Sequence, residues 1–192
     1  MDEIFRKRSF FVKEKVGLAN LYESYEVQDF ETKKILGYAV EQACAWQKFQ
    51  KLFLDKDLLP LTIKVNDVHG RPLLELRRPR AFFRSVVTVE NGAGDKIGTI
   101  KQTSFSLMAR LEVFDAGDKM IGTINGDWKN REFLFSDLED KTIAKINHQF
   151  GGLAREILTS ADDYLVKIIG DQAMAPMILA AVLTVDFAYH EA

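Results

Sequence analysis

One short pattern is written five times along this chain, and it limits what the rest can be. A strand-like run meets an acidic or Gly-containing turn, then Lys or Arg, then a second apolar run; the copies span residues 25–40, 63–77, 87–101, 111–125 and 133–147. The third and fourth copies share Gly-Asp-Lys followed closely by Ile-Gly-Thr-Ile, at Ile97–Ile100 and Ile121–Ile124. Asp, Asn and Gly reverse a chain because they tolerate turn dihedrals and hydrogen-bond locally. The flanking runs are rich in Val, Ile, Phe and Thr and alternate as strands do. Five hairpins in succession describe an antiparallel meander. Left open, such a sheet has two unpaired edges; closing it into a barrel removes both.

A barrel needs a filling, and the stretch 173–190 supplies one. It is apolar on nearly every side, so it lacks the polar stripe of a surface helix. A membrane-spanning helix wants about 20 apolar residues. Here the run between Pro176 and Asp186 is only nine residues, Met177 to Val185. Asp186 within it is costly in hydrocarbon unless paired. Small residues at Ala173, Ala175, Ala180, Ala181 and Ala188 suit close neighbours on all sides. We expect a buried core helix and no transmembrane span.

Two other segments leave the hairpin pattern. Residues 41–55 place Ala45, Trp46, Phe49, Leu52 and Phe53 at helical spacing, which suits either a plug in one barrel mouth or a surface cover. Residues 150–164 read as a short helical or looped crossover into a strand over 164–169, ended by Gly170 and Asp171. The first residues, through Val12, have no long apolar run after their charges and read as a first strand, not a signal peptide.

The 192 residues are enough for one domain with its own core, and residues 1–192 are expected to form one. With 26 Lys and Arg against 28 Asp and Glu, the chain lacks the basic excess of a dedicated nucleic-acid binder. The single cysteine, Cys44, excludes an internal disulfide and fits a reducing compartment. His69, His148 and His190 have no metal-ligand spacing to one another or to Cys44. No nucleophile elbow or phosphate loop occurs, and an enzyme is not expected.

From His148 onward, with the signature running over Ile143–Tyr164, the sequence resembles the phospholipid scramblase family. The resemblance rests on a strand leading into Phe150-Gly-Gly, the pair Arg155-Glu156, the acidic run ending at Asp162-Asp163-Tyr164, and a terminal helix closing in Asp186-Phe187-Ala188-Tyr189. Gly126-Asp127-Trp128 and the hairpin repeat resemble the related LURP-one group of the tubby-like superfamily. The resemblance implies a mainly β, tubby-like closed antiparallel barrel of about twelve strands around a central C-terminal helix. It also implies a calcium loop whose first position is Ser160, third Asp162, fifth Tyr164 and twelfth Asp171. Calcium takes about six to eight oxygens, usually several of them carboxylates. The alternative for these residues is a turn in which Asp162 and Asp163 cap backbone groups. No other cofactor is expected.

Arg71, Arg77, Arg78, Arg80 and Arg84 crowd into one stretch beside Phe82 and Phe83. Arginine forks match phosphate oxygens, and neighbouring aromatics enter membrane interfaces. They are the candidate lipid-headgroup site; the alternative is a solvated strand edge that discourages aggregation. Phe5-Arg-Lys-Arg8 joins the group if the first strand lies nearby. Two function classes follow. One is a scramblase-related protein binding anionic phospholipid headgroups, cytoplasmic and reaching the inner membrane surface, with lipid translocation a family implication. The other is a soluble tubby-like module whose partner is another protein or ligand, without lipid transport.

Overall fold

The computed structural model describes residues 2–15, 24–42, 59–79, 85–103, 108–127, 132–147 and 163–189. A short helix α1 (Glu3–Arg6) precedes β1 (Ser9–Glu14). The repeated pattern then forms five hairpins: β2 (Ser24–Asp29) with β3 (Ile35–Glu41), β4 (Leu61–Asp67) with β5 (Pro72–Arg78), β6 (Val86–Asn91) with β7 (Lys96–Gln102), β8 (Met108–Asp115) with β9 (Met120–Asp127), and β10 (Glu132–Ser136) with β11 (Thr142–Asn147). β12 (Asp163–Ile168) leads through a 3-10 turn (Gln172–Met174) into helix α2 (Ala175–Tyr189). Each strand pairs antiparallel with its chain neighbours, and β12 closes the ring on β1, giving a twelve-stranded barrel around α2. The expected closed antiparallel barrel of about twelve strands around the C-terminal helix is the observed fold.

The turns explain the repeat. In four hairpins one side-chain oxygen accepts the backbone N–H groups two and four residues on: Asp67 from His69 and Arg71, Asn91 from Ala93 and Asp95, Asp115 from Gly117 and Lys119, Asp137 from Glu139 and Lys141, all at 2.8–2.9 Å. The residue three places on lies in the left-handed region: Gly70, Gly94, Asp118 and Asp140 have φ of 79°, 89°, 62° and 61°. Gly occupies that region without a Cβ penalty, and Asp tolerates it.

Beyond each turn the ladder slips by one residue, between Val27 and Gln28, Val65 and Asn66, Val89 and Glu90, Val113 and Phe114, and Phe135 and Ser136. The extra residue on the returning strand is Leu36, Leu73, Ile97, Ile121 or Ile143. Each packs into or against the core beside the residue that follows it. A bulge bends a strand and raises its twist, and five of them help the sheet close.

Core packing follows from closure. Ile178, Leu179, Val182, Leu183 and Val185 of α2 have no accessible surface, and neither do Val27, Ile63, Val87, Ile100, Val113, Phe133 and Val166 from the strands around them. Asp186, only 3 % exposed, accepts a 2.6 Å hydrogen bond from the Tyr25 hydroxyl, so the acidic residue that argued against a membrane span is paired inside the barrel. No helix among the described residues is long and apolar enough to cross a membrane.

The N-terminus corrects one expectation. Residues through Val12 do not form a single strand: Glu3–Arg6 turns helical first and drops Ile4 and Phe5 into the core. Gln172 holds that segment down by donating from its side-chain amide to the Phe5 and Lys7 carbonyls, at 2.9 and 3.0 Å. Of the amphipathic segment 41–55, Glu41 ends β3; its helical part and the crossover 150–162 lie outside the described residues.

Candidate functional site

The arginines, close in sequence, are separated by the strand that carries them. Arg71 stands in the β4–β5 turn, where its Nε lies 2.6 Å from Asp67 Oδ2 and its Nη2 3.8 Å from Asp2. Arg77 faces outward near the other end of β5, with Nε 2.6 Å from Glu75 and Nη2 3.4 Å from Glu90. Both guanidinium pKa values are raised by these carboxylates, first through the hydrogen bonds to Asp67 and Glu75. Arg78 points inward and is only 7 % exposed; its Nη2 reaches the Leu59 carbonyl at 3.5 Å. Successive strand residues face opposite sides, so Arg77 and Arg78 cannot serve one ligand from one face. Arg80 and Arg84 lie outside the described residues.

The outer surface around Arg77 is a balanced lattice. Lys64 is 3.8 Å from Glu75, so two cations interleave with Glu75 and Glu90 across β4, β5 and β6. A phosphate approaching Arg77 must compete with two carboxylates already in place. Arg71, with 68 % of its side chain exposed, is the more accessible. Asp2 is the titratable group lining a groove of about 390 Å³ beside it, whose other walls include Phe5, Leu73, Leu74, Ile97 and Pro176. That lining contains no acid–base pair.

The acidic stretch is described only in part. Ser160 and Asp162 lie outside the described residues, but Asp163 opens β12 and Asp171 follows its far end. Asp171 caps the 3-10 turn, accepting the Ala173 N–H at 2.9 Å. Among the described residues no three His, Cys, Asp or Glu side chains gather as a metal site.

The turn end of the barrel holds two buried carboxyls, Asp29 and Asp67, whose pKa values are lowered. Burial pushes the Asp29 carboxyl up, but Lys7 Nζ at 2.5 Å, the Thr32 hydroxyl and the Glu31 N–H together outweigh it and hold its pKa below the usual range. Burial acts likewise on Asp67, and hydrogen bonds from Arg71 and His69 outweigh it there too. A depressed folded pKa adds stability above the unfolded value of about 3.9 that is lost as pH falls through the folded one. Urea midpoints are therefore expected to hold steady above about pH 5 and to drop below about pH 4. Asp29→Asn should lower the midpoint at pH 7 and flatten its acid limb. An unchanged acid limb would remove Asp29 from this account.

The comparisons with known proteins agree with this architecture. Residues 9–192 match the Scramblase family, which takes in all twelve strands and the central helix. The chain belongs to the scramblase family. An X-ray structure of a protein from Arabidopsis thaliana superposes with a TM-score of 0.55 at 16% sequence identity, covering 94% of this chain and 91% of that one. At that identity the likeness is one of fold. What the family sequence pattern left hidden is the outer face of the barrel, where strands distant in sequence set their side chains together.

Proposed function

We propose that this protein is a scramblase-related phospholipid binder that works at the bilayer surface and does not conduct lipid through its barrel. The observation that carries the second half is the lumen: α2 fills it, with Ile178 through Leu183 fully buried. A headgroup crossing hydrocarbon needs a polar path, because an unpaired polar or charged group there costs several kcal/mol. A closed ring of hydrogen-bonded strands packed on an apolar helix has no such path inside it. Family membership supports the lipid half, and surface binding is the mode a barrel of this construction permits.

Co-sedimentation of the purified protein with vesicles tests the reading. Binding is expected to anionic vesicles over neutral phosphatidylcholine ones and to weaken as salt rises past the screening range. It should not require calcium, since Asp171 caps the 3-10 turn and no three metal-ligating side chains gather among the described residues. Absence of binding to anionic vesicles at low salt would sink the lipid reading. Calcium-dependent binding would restore the acidic stretch as a metal site.

A further inference from the structure

We infer that the outer face formed by β10, β11, β12, β1 and the end of β2 is the surface that docks on an anionic bilayer, an inference that rests on the lipid reading above. The register sets Leu134 opposite Lys145, Lys145 opposite Lys167, and Lys167 opposite Ser9, one cross-strand row over four strands. The Phe30 N–H bonds the Ser9 carbonyl at 3.3 Å and continues that row. At about 4.8 Å per strand the row is roughly 20 Å long.

Two features of the row ask for a partner. Lys145 and Lys167 are both exposed and directly opposed, and like charges so placed destabilise a sheet. Neither has a carboxylate within salt-bridge distance among the described residues, whereas Arg71 and Arg77 each have two within 3.8 Å. The lysines are also flanked by exposed apolar side chains: Leu134 at 43 %, Ile169 at 46 % and Phe30 at 37 %. Lys33 Nζ sits 4.4 Å from the Phe11 ring and 4.7 Å from the Phe30 ring, adding a third cation over an aromatic base. Arg8, exposed, donates from its guanidinium to the Gly170 carbonyl and lies beside Ile169. The adjacent row carries one acid among its described residues, Glu132, opposite Asn147.

Cations between apolar tips match a lipid interface, where lysines reach phosphates and apolar groups enter the acyl boundary. An added peptide strand is disfavoured, because every strand of the closed ring already has both neighbours.

The full-length protein and its Lys145→Glu/Lys167→Glu variant, compared on phosphatidylcholine vesicles with and without phosphatidylserine, decide the matter. Wild type should bind the anionic vesicles, and the variant should bind them on the order of tenfold or more weakly. Arg71→Glu/Arg77→Glu, on the opposite side of the barrel, should bind like wild type. Lys145→Glu alone should raise the melting temperature slightly, by turning a repulsive pair into an attractive one, while still weakening vesicle binding. A merely structural role would move both readouts together. Wild-type-like vesicle binding by the double variant would overturn the docking face and leave the lipid reading standing. That result with polyglutamate binding lost would assign the face to an acidic polymer. Failure of wild type to bind any anionic vesicle would overturn both.

Discussion

A chain ending at Gly170 is expected to lose its cooperative unfolding transition altogether. The deletion removes α2, whose Ile178, Leu179, Val182, Leu183 and Val185 are fully buried. Burial of side chains of this size stabilises by about 1.5–3 kcal/mol each. Five of them are worth roughly 10 kcal/mol, comparable with the whole stability of an ordinary domain at about 5–15 kcal/mol. The loss is larger still, because the strands would then line an empty cylinder with Val27, Ile63, Val87, Ile100, Val113 and Phe133 facing it. A dry cavity of that size forfeits the contacts of its whole lining. The fragment should be aggregated or molten, with no sigmoidal melt by circular dichroism. Leu183→Ala gives the graded version: about 2–5 kcal/mol lost, with the transition retained at lower temperature. A soluble 1–170 fragment that melts cooperatively would show that the barrel stands without its helix.

The barrel and its filling were legible in the sequence because both are written locally. Turn chemistry at Asp67, Asn91, Asp115 and Asp137 and alternation on either side fix a hairpin without reference to anything distant. The absence of a polar stripe on α2 likewise needs only its own residues. The arginine site was less legible, since nearness in sequence says nothing about facing: Arg77 and Arg78 are consecutive and point to opposite sides of β5. The lysine row was not legible at all. Lys145 and Lys167 meet because β11 and β12 pair in one particular register, and turn chemistry in the sequence specifies register only across short hairpin loops, not across the fifteen residues 148–162. α1 escaped for the opposite reason: four residues are too few to show a helical period, and Ile4 with Phe5 reads equally well as strand.

The glycine inside the repeated Ile-Gly-Thr-Ile has a tertiary cause, and Gly98→Ala is expected to show it. A Cβ on Gly98 would meet the Phe114 carbonyl oxygen at 2.5 Å and Met177 of α2 at 2.7 Å. Gly122 is crowded by the Ser136 carbonyl and by Phe135, and Gly37 by the Asn66 carbonyl at 2.5 Å. All three directly follow the bulged residue of their hairpin, opposite the buried Val27, Val89 and Val113. Of the two obstacles at Gly98, the methionine can yield, being an unbranched thioether with several rotamers. The carbonyl cannot, because Phe114 is held in the β8–β9 ladder opposite Met120. Overpacking of this kind costs about 1–3 kcal/mol. In a domain of this size that lowers the melting temperature by roughly 2–4 °C per kcal/mol. Repeating Gly98→Ala in a Met177→Ala background separates the two obstacles: its cost there, measured against Met177→Ala alone, should be only a little smaller than in wild type, since the carbonyl contact remains. A Gly98→Ala cost that vanishes in that background would mean that the glycine makes room for the helix alone, and that the neighbouring strand has the slack to move.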